Sequence, residues 1–335
     1  MAKIVLGIGT SHAPQLALPP EEWWRRSDAD RKNPALWFHG KTYAFPELVE
    51  QRAANHFEKE LTPETGEARF NACQRDIETL ARTLEEVNPD VAIILGDDQE
   101  ECFLEDNMPS LAVFWGESVD TVPPGGNRAT GESGAARPEL SRYPQQRTAN
   151  PTQPALGRHI IDTLIAEHFD PAHSTHLPAG KHGDHGIGHA FSYVYRRIMK
   201  DEVIPNVPIL LNTYYPPNQP TLKRCYQLGK ALRRAVESWE SDATVAIIAS
   251  GGLSHFVIEE DLDEKIIDAL KKKDGDALTA FPVEYFNSGT SEIRNWIAMA
   301  GALEETSLNM ELVDYVPCYR TEAGTGCAMG FAEWT

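Results

Sequence analysis

The sequence has little of what a small secreted scaffold needs. Its 335 residues contain five cysteines, an odd number at scattered positions (Cys73, Cys102, Cys225, Cys318 and Cys327). That usage argues against a disulfide framework and fits a reducing, cytoplasmic setting. Basic charge is scarce as well: 31 Lys and Arg stand against 50 Asp and Glu, a net charge of −19. No basic stripe is present to meet a phosphate backbone, so nucleic-acid binding is not expected. No run approaches the roughly 18 apolar residues of a membrane span. The opening MAKIVLGIG turns polar too soon for a secretory leader. Several catalytic signatures are missing too: a GxSxG elbow, a Walker A loop, HExxH and a dinucleotide glycine fingerprint. None of the cysteines sits in a signature with a histidine, so packed thiols are expected rather than nucleophiles.

What is present is ordinary core material, 41% hydrophobic and 24% charged. Short apolar runs at residues 4–8, 91–95, 111–115, 207–211 and 244–248 read as buried strands. Helical periodicity covers 70–87, 155–168, 222–239, 261–270 and 291–303. This alternation predicts an α/β fold, one elaborated domain over residues 1–335 with a central mostly parallel or mixed sheet flanked by helices. Two segments interrupt it. Residues 19–60 carry Trp23, Trp24, Trp37, Phe38, Tyr43 and Phe45, an insertion that either caps a pocket or packs outside the sheet or on a partner subunit. Residues 121–153 are rich in Pro, Gly, Ser and Arg and read as an extended loop. The Lys271-Lys272-Lys273 run reads as a solvated helix end.

Polar, glycine-rich sequence follows the strands: GTSHAP, GDDQEE, NTYYPP and SGGLSH. In such sheets ligands gather beyond the carboxyl ends of strands, so one shared floor is expected there. His12 leaves the first strand, as a ligand or as a locally satisfied residue. GKHGDHGIGH places His182, Asp184, His185 and His189 together, either as metal-binding imidazoles or as a local turn network. His255 closes ASGGLSH, where an imidazole can exchange a proton near neutrality; a capping role is the alternative. Asp97, Asp98, Gln99, Glu100 and Glu101 can ligate a metal, orient a histidine, or form an ordinary acidic loop. Glu292 falls in a first helical turn, which favours Glu for its dipole alone. Tyr214 and Tyr215 precede Pro216 and Pro217, which can hold a hydroxyl over the floor or simply pack a turn.

The ordered series GTSHAP, GDDQEECF, GDHG, NTYYPP, GGLSH and SEIRNWIAMAGAL resembles the catalytic β-type subunit of the class III extradiol ring-cleavage dioxygenases. That family includes protocatechuate 4,5-dioxygenase and gallate dioxygenase. The resemblance runs from the first strand to about residue 330. It implies a non-haem Fe(II) site open to a catecholic aromatic substrate and O2. Position by position it makes His12 and Glu292 metal ligands, His255 the acid/base, and His185 a group beside the substrate; Tyr215, not matched in this way, is the tyrosine expected to help fix the ring. One position departs: where the family's second histidine ligand ends an Asn-Asp-His stretch, this chain has Asp97, Asp98 and Gln99. Gln99 therefore takes the third metal position, with Asp98, Glu101 and His56 as substitutes. Lys181, Arg128 and Arg137 are candidate partners for a substrate carboxylate, which the net charge itself repels. The resemblance further implies a homo-oligomer, at least a dimer, with a small accessory subunit as a further partner. A zinc-type hydrolase on the same scaffold, or a binding protein that has lost one ligand, are the competing functions.

Overall fold

The apolar runs sit where both faces of a sheet are covered. The structure, a computed structural model, describes residues 1–123 and 142–335, with no side chains for Trp24 and Arg25. A nine-stranded sheet is built from β1 (Lys3–Thr10), β2 (Val91–Asp97), β3 (Leu111–Phe114), β4 (Ala172–Ser174), β5 (Asn206–Leu211), β6 (Thr244–Ser250), β7 (His255–Val257), β8 (Met310–Tyr319) and β9 (Thr325–Trp334). Its order is β7-β9-β1-β6-β2-β5-β3-β4, with β8 paired to β9. β1, β6, β2 and β5 are mutually parallel; β9 and β3 join them antiparallel, so the sheet is mixed.

The helices used below are α1 (Trp24–Lys32), α2 (Pro63–Val87), α3 (Pro154–Ala166), α4 (His189–Tyr193), α5 (Leu222–Ser238), α6 (Glu260–Lys271) and α7 (Ile293–Leu303); two short ones, Phe45–Gln51 and Gly275–Ala280, complete the α-helices of the described residues. Alternate strand residues face opposite layers. Ile93, Leu95 and Ile247 pack with Leu232, Ile266 and Trp296 of α5, α6 and α7. Ala92, Ile94 and Ile248 pack with Ile77 and Leu80 of α2 and Phe191 of α4. Burial on both sides is why these strands read as continuous apolar runs rather than alternating ones. α2 starts well before residue 70: Thr62 accepts from the Thr65 N–H and Pro63 opens the helix, a cap stronger than the periodicity. Among the described residues no helix is long and apolar enough to cross a membrane.

The β8–β9 hairpin was not legible in the sequence. β8 carries Pro317 and acidic residues, which are tolerated because β8 pairs on one side only. The 19–60 insertion packs against the β7–β9 edge, with Leu36, Phe38, Phe45 and Leu48 against Val257 and Ala323. Arg52 ties it down through the carbonyls of Ala323 (2.9 Å) and Ile258 (2.8 Å). Of the 121–153 loop, the ends are described: Ser118–Thr121 pairs with Thr148–Pro151. Arg128 and Arg137 lie outside the described residues.

Candidate active site

Three adjacent parallel strands, β1, β6 and β2, end side by side. Beyond them stand His12, the Gly251-Gly252 turn and Asp97, the last residue of β2. Glu292 enters from the start of α7. One turn on, Asn295 Nδ2 donates to Ser250 O (2.8 Å) and the Trp296 indole donates to Gly251 O (2.9 Å), pinning the strand exit to the helix. The glycine pair is needed for close approach, since a Cβ at Gly252 would lie 2.8 Å from His255 Cε1. The Gly252 N–H donates to Glu292 Oε2 at 2.8 Å.

At the centre, one ligand atom each of His12, Asp97, His189 and Glu292 lies within 4.8 Å of all the others. His12 Nε2 is 3.1 Å from His189 Nε2, 3.4 Å from Glu292 Oε2 and 3.8 Å from Asp97 Oδ1. Neighbours fix the tautomers. Ser250 Oγ donates to Ala190 O (2.7 Å), so it accepts from His12 Nδ1 (3.0 Å), which leaves His12 Nε2 a bare lone pair. His189 Nδ1 lies 2.6 Å from Glu101 Oε2, whose carboxylate also takes the His189 N–H and the Tyr143 hydroxyl (3.0 Å). That partner likewise aims His189 Nε2 inward. A carboxylate holding the far nitrogen of an imidazole is the usual support of a metal-binding histidine.

The electrostatics follow from this packing. Burial holds the pKa of His12 down to about 4. Burial also opposes charge on His189, but Glu101 outweighs it and raises the group to about 9. Burial, then the charge of Glu292, pushes Asp97 up to about 7. Burial opposes the charge of Glu292 too, yet His255 and His12 hold it well below the usual carboxylate range. Asp97 is 0% exposed and neither of its oxygens has a hydrogen-bond partner among the described residues. Two imidazole lone pairs in contact, beside a carboxylate that no hydrogen bond reaches, need a cation between them: a proton on His189, which stands 3.9 Å from Asp97 Oδ2, or a metal ion. Metal–nitrogen bonds of about 2.1 Å place adjacent ligands roughly 3 Å apart, close to the observed separations. The residues present fit a divalent metal.

A sequence profile of the family described as "Catalytic LigB subunit of aromatic ring-opening dioxygenase" matches residues 63–326. The chain belongs to that family. The match contains Asp97, His189, His255 and Glu292; His12 lies before it. The LigB-family chain is also similar to gallate dioxygenase of Pseudomonas putida, 37% identical over 170 residues. That similarity covers 47% of this chain and 46% of the relative, so the chain spans about half the length of the curated relative it matches. A solved structure of an uncharacterized protein from Escherichia coli K12 aligns over 77% of this chain and 91% of its own, at 14% identity and a TM-score of 0.42.

In this LigB-family chain His12, Glu292, His255 and Gln99 do meet at one cavity of about 260 Å³. His255 Nδ1 is taken by Leu253 O (2.7 Å), and its Nε2 stands 3.3 Å from Glu292 Oε1. Gln99 reaches the same oxygen as a donor, also at 3.3 Å. The remaining expectations are corrected by placement. His185 is exposed at φ 58°, its Nδ1 on Leu177 O (3.0 Å), and it faces a different cleft beside Trp115 and His176. Asp184 Oδ1 accepts the Gly186 N–H (2.9 Å), and the tight turn sends His185 outward while His189 goes inward. Tyr215 does not line the cavity: its backbone is clasped by Asn212 on the exit of β5, one strand further along the sheet. His56 is exposed and faces Glu58 (3.3 Å), away from the site. Asp98 is used within its own turn, accepting the N–H groups of Cys102 and Phe103, and Glu101 supports His189 instead of facing His12. Sequence reasoning passed over Arg26 and Arg142, both on the cavity wall; no local pattern marks either. The signal for His189 was present in GIGH, but its partner Glu101 is remote in sequence.

Proposed function

We propose that this chain is a ring-opening dioxygenase of the extradiol type, acting on a catecholic aromatic with O2 at a divalent iron held by His12, His189 and Glu292, with Asp97 on the remaining side. The observation that carries this reading is the pair of inward-facing Nε2 atoms, 3.1 Å apart, beside the buried Asp97 carboxylate, which has no hydrogen bond among the described residues. His189 then supplies the imidazole absent from the Asp97-Asp98-Gln99 stretch. When bound, Fe(II) supplies the redox chemistry that joins O2 to a catecholate ring.

The chain's own groups set up the rest. His255 has one nitrogen left for proton exchange, Nε2, on the cavity side of Glu292, where it can take a phenolic proton and return it later. Glu292 is held by the Gly252 N–H and by Gln99, so its orientation does not depend on substrate. The cavity, about 260 Å³, falls just below the usual range of ligand sites, which run from roughly 300 Å³ upward. It suits one substituted ring.

Gln99 as the third ligand is the second reading, favoured by its place 3.3 Å from Glu292. Anaerobic Fe(II) titration of His189→Ala and Gln99→Ala separates the two. Loss of tight binding in His189→Ala alone supports the first reading; loss in Gln99→Ala alone supports the second. Oxygen uptake with catechols tests the activity. Zinc in the purified protein and no uptake with iron restored would replace the dioxygenase reading with a hydrolytic one.

A further inference from the structure

All five cysteines are buried, as packed thiols should be, but three of them are not solitary. Cys327 on β9 and Cys318 on β8 are directly opposed in the antiparallel register, and His255 on β7 stands opposite Cys327 on its other side. Opposed residues share a face of the sheet, so His255, Cys327 and Cys318 form one row of side chains. Two residues further on, the Arg320 N–H donates to Thr325 O (2.7 Å). Such bonds recur at every second pair, so Cys318 and Cys327 are a hydrogen-bonded pair with Cα atoms about 5.5 Å apart. Disulfides span Cα separations of roughly 4.4–6.8 Å, so the backbone already holds the two sulfurs within bonding reach. The Cys73 thiol of α2 is hydrogen-bonded to Cys318.

Cys327 differs from the other four in lining the active-site cavity, beside His255. Its Sγ accepts from Arg320 Nη1 at 3.8 Å. That guanidinium is fixed in place: Asp30 holds its Nε (2.9 Å) and Nη2 (3.1 Å), and Gln15 holds its Nη1 (2.8 Å). Burial pushes the Cys327 thiol up to about 11, with Arg320 and Arg26 opposing. The small thiolate fraction therefore faces a permanent cation, in a cavity open to small molecules, with a second thiol behind it.

We propose that Cys327 and Cys318 form a reversible oxidation site, with hydrogen peroxide in the cavity as the oxidant. The Cys327 thiolate attacks one peroxide oxygen, the O–O bond breaks, and the departing hydroxide takes a proton to leave as water. The sulfenic acid so formed is attacked by the Cys318 sulfur. Its S–O bond breaks, a second water leaves, and one disulfide has formed for one peroxide reduced. The bond turns the Cys327 sulfur toward β8 and away from the wall beside His255, so the oxidised site presents a different surface to its ligand. The inference rests on the ring-opening reading only for the source of the peroxide, oxygen reduced in the cavity without entering a ring.

The test is peptide mass spectrometry of folded, full-length, metal-free protein after exposure to hydrogen peroxide, which needs neither iron nor turnover. Cys225 on α5, buried in the opposite layer, is the internal control. The Cys318–Cys327 disulfide should form roughly 10-fold or more faster than any oxidation of Cys225, and dithiothreitol should restore both thiols. Cys318→Ala should stop at the sulfenic acid on Cys327, which dimedone traps. Cys327→Ala should leave Cys318 and Cys73 reduced. Thermal melting checks that both variants fold, and the wild-type comparison decides the matter without them. Oxidation of Cys327 no faster than that of Cys225 overturns the proposal, as does a Cys73–Cys318 disulfide with Cys327 still reduced. A Cys318–Cys327 disulfide in protein that takes up no oxygen with any catechol would uphold this inference while removing the dioxygenase reading. Oxygen uptake with an inert Cys327 would do the reverse.

Discussion

Asp97→Asn separates what the site costs from what it does. In metal-free protein the Asp97 carboxylate is fully buried and lacks a hydrogen bond, and its pKa rises from 3.8 to about 7. A carboxyl group whose folded pKa is raised makes the fold more stable in its protonated form. That contribution is complete below pH 3.8 and is lost as pH rises through about 7. Above pH 7 folding carries the whole penalty, about 4 kcal/mol at roughly 1.4 kcal/mol per tenfold change in proton affinity. Asparagine removes the charge but still buries an amide, so about 2 kcal/mol should be recovered. For a chain of 335 residues that is a rise in Tm of roughly 3 °C. Metal-free melts at pH 8 should therefore place Asp97→Asn above wild type, and melts at pH 4 should bring the two together. Excess divalent metal should reverse the order, because the wild type gains stabilisation of RT ln(1 + [M]/Kd) and the variant gains less. A variant less stable than wild type at pH 8 without metal, or shifted equally by metal, would refute the view of Asp97 as an uncompensated carboxylate awaiting a cation.

Glu101→Gln should weaken metal binding about 10- to 100-fold, the usual effect of removing the group that orients a ligating imidazole. In the same metal-free variant the His189 ring should titrate below its wild-type value of about 9, which histidine NMR reads directly. His255→Phe should keep metal and ligand binding while turnover falls roughly 100-fold or more, within the range of a positioned acid/base. Near-wild-type turnover at saturating substrate and oxygen would remove His255 from the proton transfer.

The sequence alone determined the layered α/β design and the floor of the site. Runs such as VAIIL at 91–95 are apolar throughout because α2 and α4 cover one face of their sheet and α5 and α7 the other. Parallel strands that share an end must place their exits together, so His12, the GGLSH turn and GDDQEE were bound to converge. Glu292 was read with them only through the family resemblance; the structure adds that Asn295 and Trp296, one turn on, pin the same strand exit to the helix. What tertiary structure decided was which imidazole faces inward. His185 and His189 share one glycine-rich stretch; the Asp184–Gly186 turn sends the first outward, and the grip of Glu101 on His189, across 88 residues, holds the second in. Tyr215 was misplaced for a related reason: its strand is parallel and its exit polar, but β5 lies one position too far along the sheet. Arg142 and Arg26 had no local signature at all. Each comes from a segment that carries no strand exit, and their meaning lies in a cavity that exists once distant stretches of the chain have packed around it.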